Sequence, residues 1–140
     1  MNTRILCNKK NKSAIYSILL VEDDPIIQAV QQYFLKKIGC EVEVVNTGQL
    51  AINHSAEKDY DAMVLDLGLP DIKGEVVLST IRARELTTKK HLAIITATAH
   101  GDESVIKNCY AKGADAAFLK PLSLEILKGT LQKICRLPKG

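Results

Sequence analysis

Short, wholly apolar runs alternate along this chain with longer segments in which apolar residues return every three or four positions. Ile18-Leu19-Leu20-Val21, Ala62-Met63-Val64-Leu65 and Leu92-Ala93-Ile94-Ile95 have the length and composition of buried strands, and Ala116-Ala117-Phe118-Leu119 reads as a short fifth strand. Glu41 to Val45 alternates charged and apolar residues, as a more exposed strand does. Between the first two strands, Ile27, Val30, Phe34 and Ile38 recur at helical spacing. Asp24-Pro25 suits the start of that helix, as N-cap and first helical residue, and Lys36, Lys37 and Gly39 suit its end. Thr47 caps a shorter helix carrying Leu50, Ala51, Ile52 and Ala56. Val77, Leu78 and Ile81 predict a helix to about Arg84, followed by a polar connection, Thr87 to Lys90. The pairs Val105/Cys109 and Ile106/Tyr110 predict another, closed by Gly113, and Ser123 caps a last one with the stripe Leu124, Leu127, Leu131 and Ile134.

Strand and helix thus alternate five times. Because crossovers between parallel strands are right-handed and short, this order predicts an α/β fold: a (βα)5, doubly wound parallel five-stranded sheet with helices on both faces. The boundaries follow: residues 1–16 are a basic, flexible N-terminal extension without periodicity, 17–136 the folded domain, and 137–140 a short C-terminal tail.

Composition changes this picture little. The 140 residues, 46% apolar and 25% charged, suit one globular domain with a self-sufficient core. No apolar run approaches the roughly 20 residues needed to span a bilayer. The first residues show no secretory apolar core followed by a small-residue cleavage site, so no leader is expected and the expected location is the cytoplasm, away from membrane. Cys7, Cys40, Cys109 and Cys135 form no C-x-x-C pair and have no histidine at ligand spacing, so neither a zinc site nor a disulfide framework is expected. The net charge of +3 comes from Arg4, Lys9, Lys10 and Lys12 in the extension; the remainder carries 15 basic and 16 acidic residues. No direct nucleic-acid partner is therefore expected.

The candidate chemistry lies where strands end. In Asp59–Gly74, DYDAMVLDLGLPDIKG, a buried strand finishes at Asp66 and passes into the turn formers Gly68, Pro70 and Gly74. Asp ends many strands because it starts turns well, so this alone is unremarkable. In a parallel sheet, however, the carboxyl ends share one edge, where ligands bind. Four of the five ends bring something polar there: Glu22 and Asp23, Asp66, Thr96, and Lys120. Three carboxylates a few ångströms apart repel by about 4 kcal/mol per close pair at an effective dielectric near 20, and need a cation or a raised pKa. Magnesium, an oxygen-seeking ion that takes one or two carboxylates with a phosphate, fits such a cleft. A carboxylate nucleophile, a divalent ion and an ammonium are the parts of in-line phosphoryl transfer, and Thr96 adds a hydroxyl.

The motifs LLVEDDP, DLGLPDIKG, ITATA and FLKP together resemble the receiver domain of two-component response regulators, a flavodoxin-like (βα)5 domain, from about Ser17 to Cys135. The resemblance implies that Asp66 accepts a phosphoryl group from a histidine kinase or histidine phosphotransfer protein. It implies Asp23 as a direct Mg2+ ligand, Glu22 as its partner through water, and Gly68 as donor of a backbone carbonyl. Thr96 would bond the phosphoryl group and follow it on activation, and Lys120, before a Pro121 bond that is cis in many such domains, would pair with it. The protein would be no enzyme with a separate substrate but a signalling domain that assists its own phosphorylation and dephosphorylation and acts through protein contacts. Homodimerisation through helix four, strand five and helix five is common in the family.

Two departures matter. The residue three before the lysine, often Tyr or Phe, is Ala117, with Phe118 one place later. Phe118 is expected to be a core residue, with output passing through backbone shifts of 96–102. Gly68 and Thr98 are small and neutral, so hydrolysis of the acyl phosphate is expected not to be strongly retarded. Two other classes compete: an interaction module that is never phosphorylated, and a phosphatase. The complete set of mutually repelling acids argues against the first. The second commonly has a second Asp two residues after its nucleophile, where this chain has Gly68. Few residues follow the last helix, so the chain is expected to be a stand-alone receiver or a piece of a longer signalling protein.

Overall fold

The structure, a computed structural model, describes residues 16–135. The expected tail and, apart from Tyr16, the basic extension lie outside the described residues, as does Cys7. The elements are β1 (Tyr16–Val21), α1 (Pro25–Ile38), β2 (Cys40–Val45), α2 (Gly48–Glu57), β3 (Ala62–Asp66), α3 (Gly74–Thr88), β4 (Ala93–Thr98), α4 (Glu103–Ala111), β5 (Ala116–Leu119) and α5 (Leu124–Ile134). All strand pairs are parallel, in the order β2-β1-β3-β4-β5, which is the expected doubly wound sheet.

Strand side chains alternate between faces, and this sorts the apolar residues into two cores. Ile18, Leu20, Ala62, Val64, Ala93 and Ile95 pack with Leu35 of α1 and Leu127 and Leu131 of α5. Leu19, Val21, Met63, Leu65 and Ile94 pack on the other side with Ala51 of α2, Val77, Leu78 and Ile81 of α3, and Cys109 of α4. Cys40 and Cys135 lie in the first core and Cys109 in the second. Phe118, expected in the core, is partly buried and packs against the α1/α5 core from β5.

The helix starts follow the predicted caps. Asp24 accepts from the backbone N–H groups of Ile26 and Ile27, Thr47 from Leu50, and Ser123 from Ile126. Each satisfies donors that the first helical turn leaves without partners. One expectation needs correction: α3 does not stop near Arg84 but continues to Thr88, absorbing part of the predicted polar connection. Long-range partners hold the added turn. Arg84 donates to the Ile52 carbonyl and the Ser55 hydroxyl of α2. Glu85 receives Arg82 and the Leu92 N–H, and Lys89, at φ 64, closes the helix.

The strand order reverses between β1 and β3: from β1 the chain goes first to β2 on one side, then to β3 on the other. Such a switch point opens a crevice beyond the strand ends. The register pairs Val21 with Leu65, so the residues that follow, Glu22 and Asp66, leave the sheet side by side. Among the described residues, no helix is long and apolar enough to cross a membrane.

Candidate functional site

Glu22, Asp23 and Asp66 come together at that crevice, each offering a carboxylate oxygen within 4.8 Å of the others. Glu22 and Asp66 are buried, whereas Asp23 is exposed. Lys120, delivered by the end of β5 from 98 residues away in sequence, reaches between them. Its Nζ lies 2.8 Å from Glu22 Oε1 and 3.1 Å from Asp66 Oδ1. The Lys120–Pro121 bond is cis.

Charge is unbalanced in this cluster, with one ammonium among three carboxylates. Burial pushes the Glu22 carboxyl above its ordinary range and the Asp66 charge adds to this, while Lys120 and the Asp24 N–H pull the other way without cancelling it. Burial alone would lower the Lys120 pKa, but the Glu22 and Asp66 carboxylates outweigh it and hold the amine protonated beyond its usual range. The two directions agree physically: one cation flanked by two buried anions is strongly held, yet it does not offset the cost of burying the Glu22 charge. Oxygen donors in a small cluster, one open to solvent, fit a hard divalent ion such as magnesium.

The loop from Leu67 to Lys73 is folded back tightly over the end of β3. Leu67 N–H donates to the Ala97 carbonyl, Gly74 N–H donates to the Leu67 carbonyl, and Gly68 N–H donates to Asp66 Oδ1 at 3.0 Å. Asp71 anchors the loop's far side by accepting from the N–H groups of Gly48 and Gln49 at the start of α2. Those two backbone donors hold the Asp71 carboxyl below its usual range. The roles of Asp71 and Gly74 were hidden in the sequence; the only signals were an Asp after Pro70 and a Gly ending the loop.

Thr96 does not join the carboxylates directly. Its hydroxyl donates to the Ala116 carbonyl of β5 at 3.2 Å, and the residue is almost wholly buried. Thr98 is likewise engaged locally, donating from Oγ1 to the His100 carbonyl. Of the expected site residues, Glu22, Asp23, Asp66 and Lys120 converge, Gly68 abuts Asp66 through its N–H, and Thr96 stands one strand away facing β5.

The family model described as the response regulator receiver domain matches residues 18–132. A cyclic di-GMP phosphodiesterase of Thermotoga maritima is 30% identical over 112 residues, covering 80% of this chain and 29% of that protein. Among solved structures, the receiver domain of the sensor histidine kinase PA1611 from Pseudomonas aeruginosa, described with a magnesium ion coordinated in its active site cleft, is 31% identical with a TM-score of 0.78. That likeness covers 89% of this chain and all of the other. The receiver domain of Ssk1 from Saccharomyces cerevisiae, crystallised with the histidine phosphotransfer protein Ypd1, is 25% identical with a TM-score of 0.79, over 87% and 90% of the two chains. The chain spans from about an eighth to about half the length of the first curated relatives it matches.

Proposed function

Since the chain belongs to the response regulator receiver domain family, we propose that it accepts a phosphoryl group on Asp66 from a phosphohistidine of a histidine kinase or histidine phosphotransfer protein. The observation that carries this reading is the Lys120 ammonium bound to both Glu22 and Asp66 within the three-carboxylate cluster. A partner of this class is supported by the Ssk1 receiver, whose complex is with a histidine phosphotransfer protein. The folded unit that performs the transfer is 17–136.

Among the described residues, both donors to Asp66 fall on Oδ1, which leaves Oδ2 to attack phosphorus. The new P–O bond forms as the P–N bond to the donor imidazole breaks, and the imidazole leaves with the bonding pair and takes a proton from solvent. Lys120 neutralises negative charge on the phosphoryl oxygens, and Thr96, after turning from Ala116, donates its hydroxyl to one of them. Asp23, Asp66 and the Gly68 carbonyl would hold Mg2+, with Glu22 assisting through water. When bound, that ion supplies charge neutralisation for the donor phosphate. Water later hydrolyses the acyl phosphate, so the domain is modified and restored without turning over a separate substrate. Output then passes through contacts with a downstream protein.

The test is incubation with acetyl phosphate and magnesium, read by intact mass. Wild type gains one phosphoryl mass; Asp66→Asn, or wild type with the metal chelated, gains none. A gain in Asp66→Asn equal to that of wild type would sink the assignment.

Gly68 sets the lifetime of the product. A Cβ there would meet only Asp66 Oδ1, at an ordinary 3.8 Å, so a side chain fits without strain. Gly68→Arg is expected to lengthen the acyl-phosphate half-life severalfold by shielding phosphorus from water, with the urea midpoint unchanged. An equal rate of phosphate loss in both proteins would argue against that role.

A further inference from the structure

One peptide group of β5 is gripped from both ends. Its carbonyl, that of Ala116, accepts the Thr96 hydroxyl at 3.2 Å. Its N–H, that of Ala117, donates to the Tyr110 hydroxyl at 3.2 Å. Thr96 belongs to buried β4 and is 1% exposed, whereas Tyr110, in the last turn of α4, is 49% exposed. A hydrogen-bonded chain therefore runs from the interior edge of the site, through a single peptide plane, to a tyrosine at the surface. β5 is an edge strand, and Ala117 packs in the same core as Cys109 of α4. Its methyl group offers no side chain that could follow Thr96, but it leaves the amide within reach of Tyr110.

We propose that Tyr110 is a positioning residue: it steadies the Ala116–Ala117 peptide that holds the Thr96 hydroxyl at rest, and it carries the loss of that hydroxyl to the outer face of α4. Hydrogen bonds on the two ends of one peptide strengthen each other, because accepting at the carbonyl polarises the N–H. When the Thr96 hydroxyl turns to a phosphoryl oxygen on Asp66, the Ala116 carbonyl keeps its place in the β4–β5 ladder but loses its hydroxyl donor, and the Ala117–Tyr110 bond weakens. The half-exposed tyrosine is thereby released, and the surface that a partner meets on α4 changes. This inference rests on the phosphoacceptor reading for its trigger, but the coupling between Thr96 and Tyr110 exists without any ligand.

The experiment uses the full chain with 3-fluorotyrosine at its four tyrosines, followed by fluorine NMR and amide hydrogen exchange. Tyr110→Phe identifies the Tyr110 signal. Thr96→Val removes the hydroxyl while keeping the side chain's shape, and Thr96→Ser keeps the hydroxyl. Without ligand, Thr96→Val is expected to move the Tyr110 signal and to speed exchange of the Ala117 amide by about three- to tenfold, the weight of one hydrogen bond. Thr96→Ser leaves both near wild type. Beryllofluoride with magnesium moves the wild-type Tyr110 signal in the same direction as Thr96→Val. A Tyr110 signal and an Ala117 exchange rate both unmoved in Thr96→Val would overturn the proposal. So would a beryllofluoride response at the Gly68 amide with none at Tyr110. No response at Gly68 would count against the phosphoacceptor reading, and the ligand-free variants would still decide the coupling.

Discussion

Lys120→Met slows phosphoryl transfer from acetyl phosphate onto Asp66 by about 10²- to 10³-fold, the effect of removing one preorganised charge from a water-poor site. Lys120 is largely buried and touches both Glu22 Oε1 and Asp66 Oδ1, so no exposed lysine replaces it when it is cut back to an apolar chain. The three carboxylates then lose the ammonium that touches two of them, and charge gathering on the phosphoryl oxygens loses its cationic side-chain partner. Met keeps most of the stem that Lys120 buries, so lost packing contributes little to the change. The rate is read as the growth of the phosphorylated mass at fixed magnesium. A rate within threefold of wild type would remove Lys120 from the transfer step.

Gly74→Ala destabilises the fold by about 1–3 kcal/mol or more, as overpacking does where the backbone must yield. A Cβ at position 74 would lie 2.6 Å from the Leu67 Cα, 2.7 Å from the Leu67 Cδ2 and 2.9 Å from the Asp66 carbonyl oxygen. Two of these are main-chain atoms at the very residues that lead out of β3, so relief must come from moving the loop that carries Gly68. The same variant is therefore expected to lose phosphorylation as well as stability. Gly129→Ala is the matched control. It lies within α5 with nothing within 4 Å of the added methyl, and the exchange is expected to stabilise by about 0.5–1 kcal/mol through helix propensity. Urea unfolding of both variants checks the opposite signs. Equal midpoints for Gly74→Ala and wild type would show that the loop tolerates displacement.

The tier of information that local order carries is the placement of elements. Four apolar runs and one alternating run mark five strands because a buried strand needs apolar side chains on consecutive positions whatever its neighbours are. The residues that close those runs, Glu22, Asp23, Asp66, Thr96 and Lys120, are likewise readable, since parallel strands must end on one edge. Caps at Asp24, Thr47 and Ser123 follow from chemistry within three residues and appear as expected. Where polar atoms point is another matter. Lys120 meets Glu22 across 98 positions, and Arg84 holds the end of α3 by reaching α2 from 29 and 32 positions away. Thr96 turns to Ala116 rather than toward the acids, and Tyr110 finds the other end of that same peptide. Gly74 reads as one more turn former until the return of the chain onto Leu67 shows that no methyl group fits. Periodicity and capping depend on neighbours a few residues away and are written along the chain; side-chain direction and close approach depend on which distant segment the packed sheet brings alongside, and so exist only once the whole domain has closed.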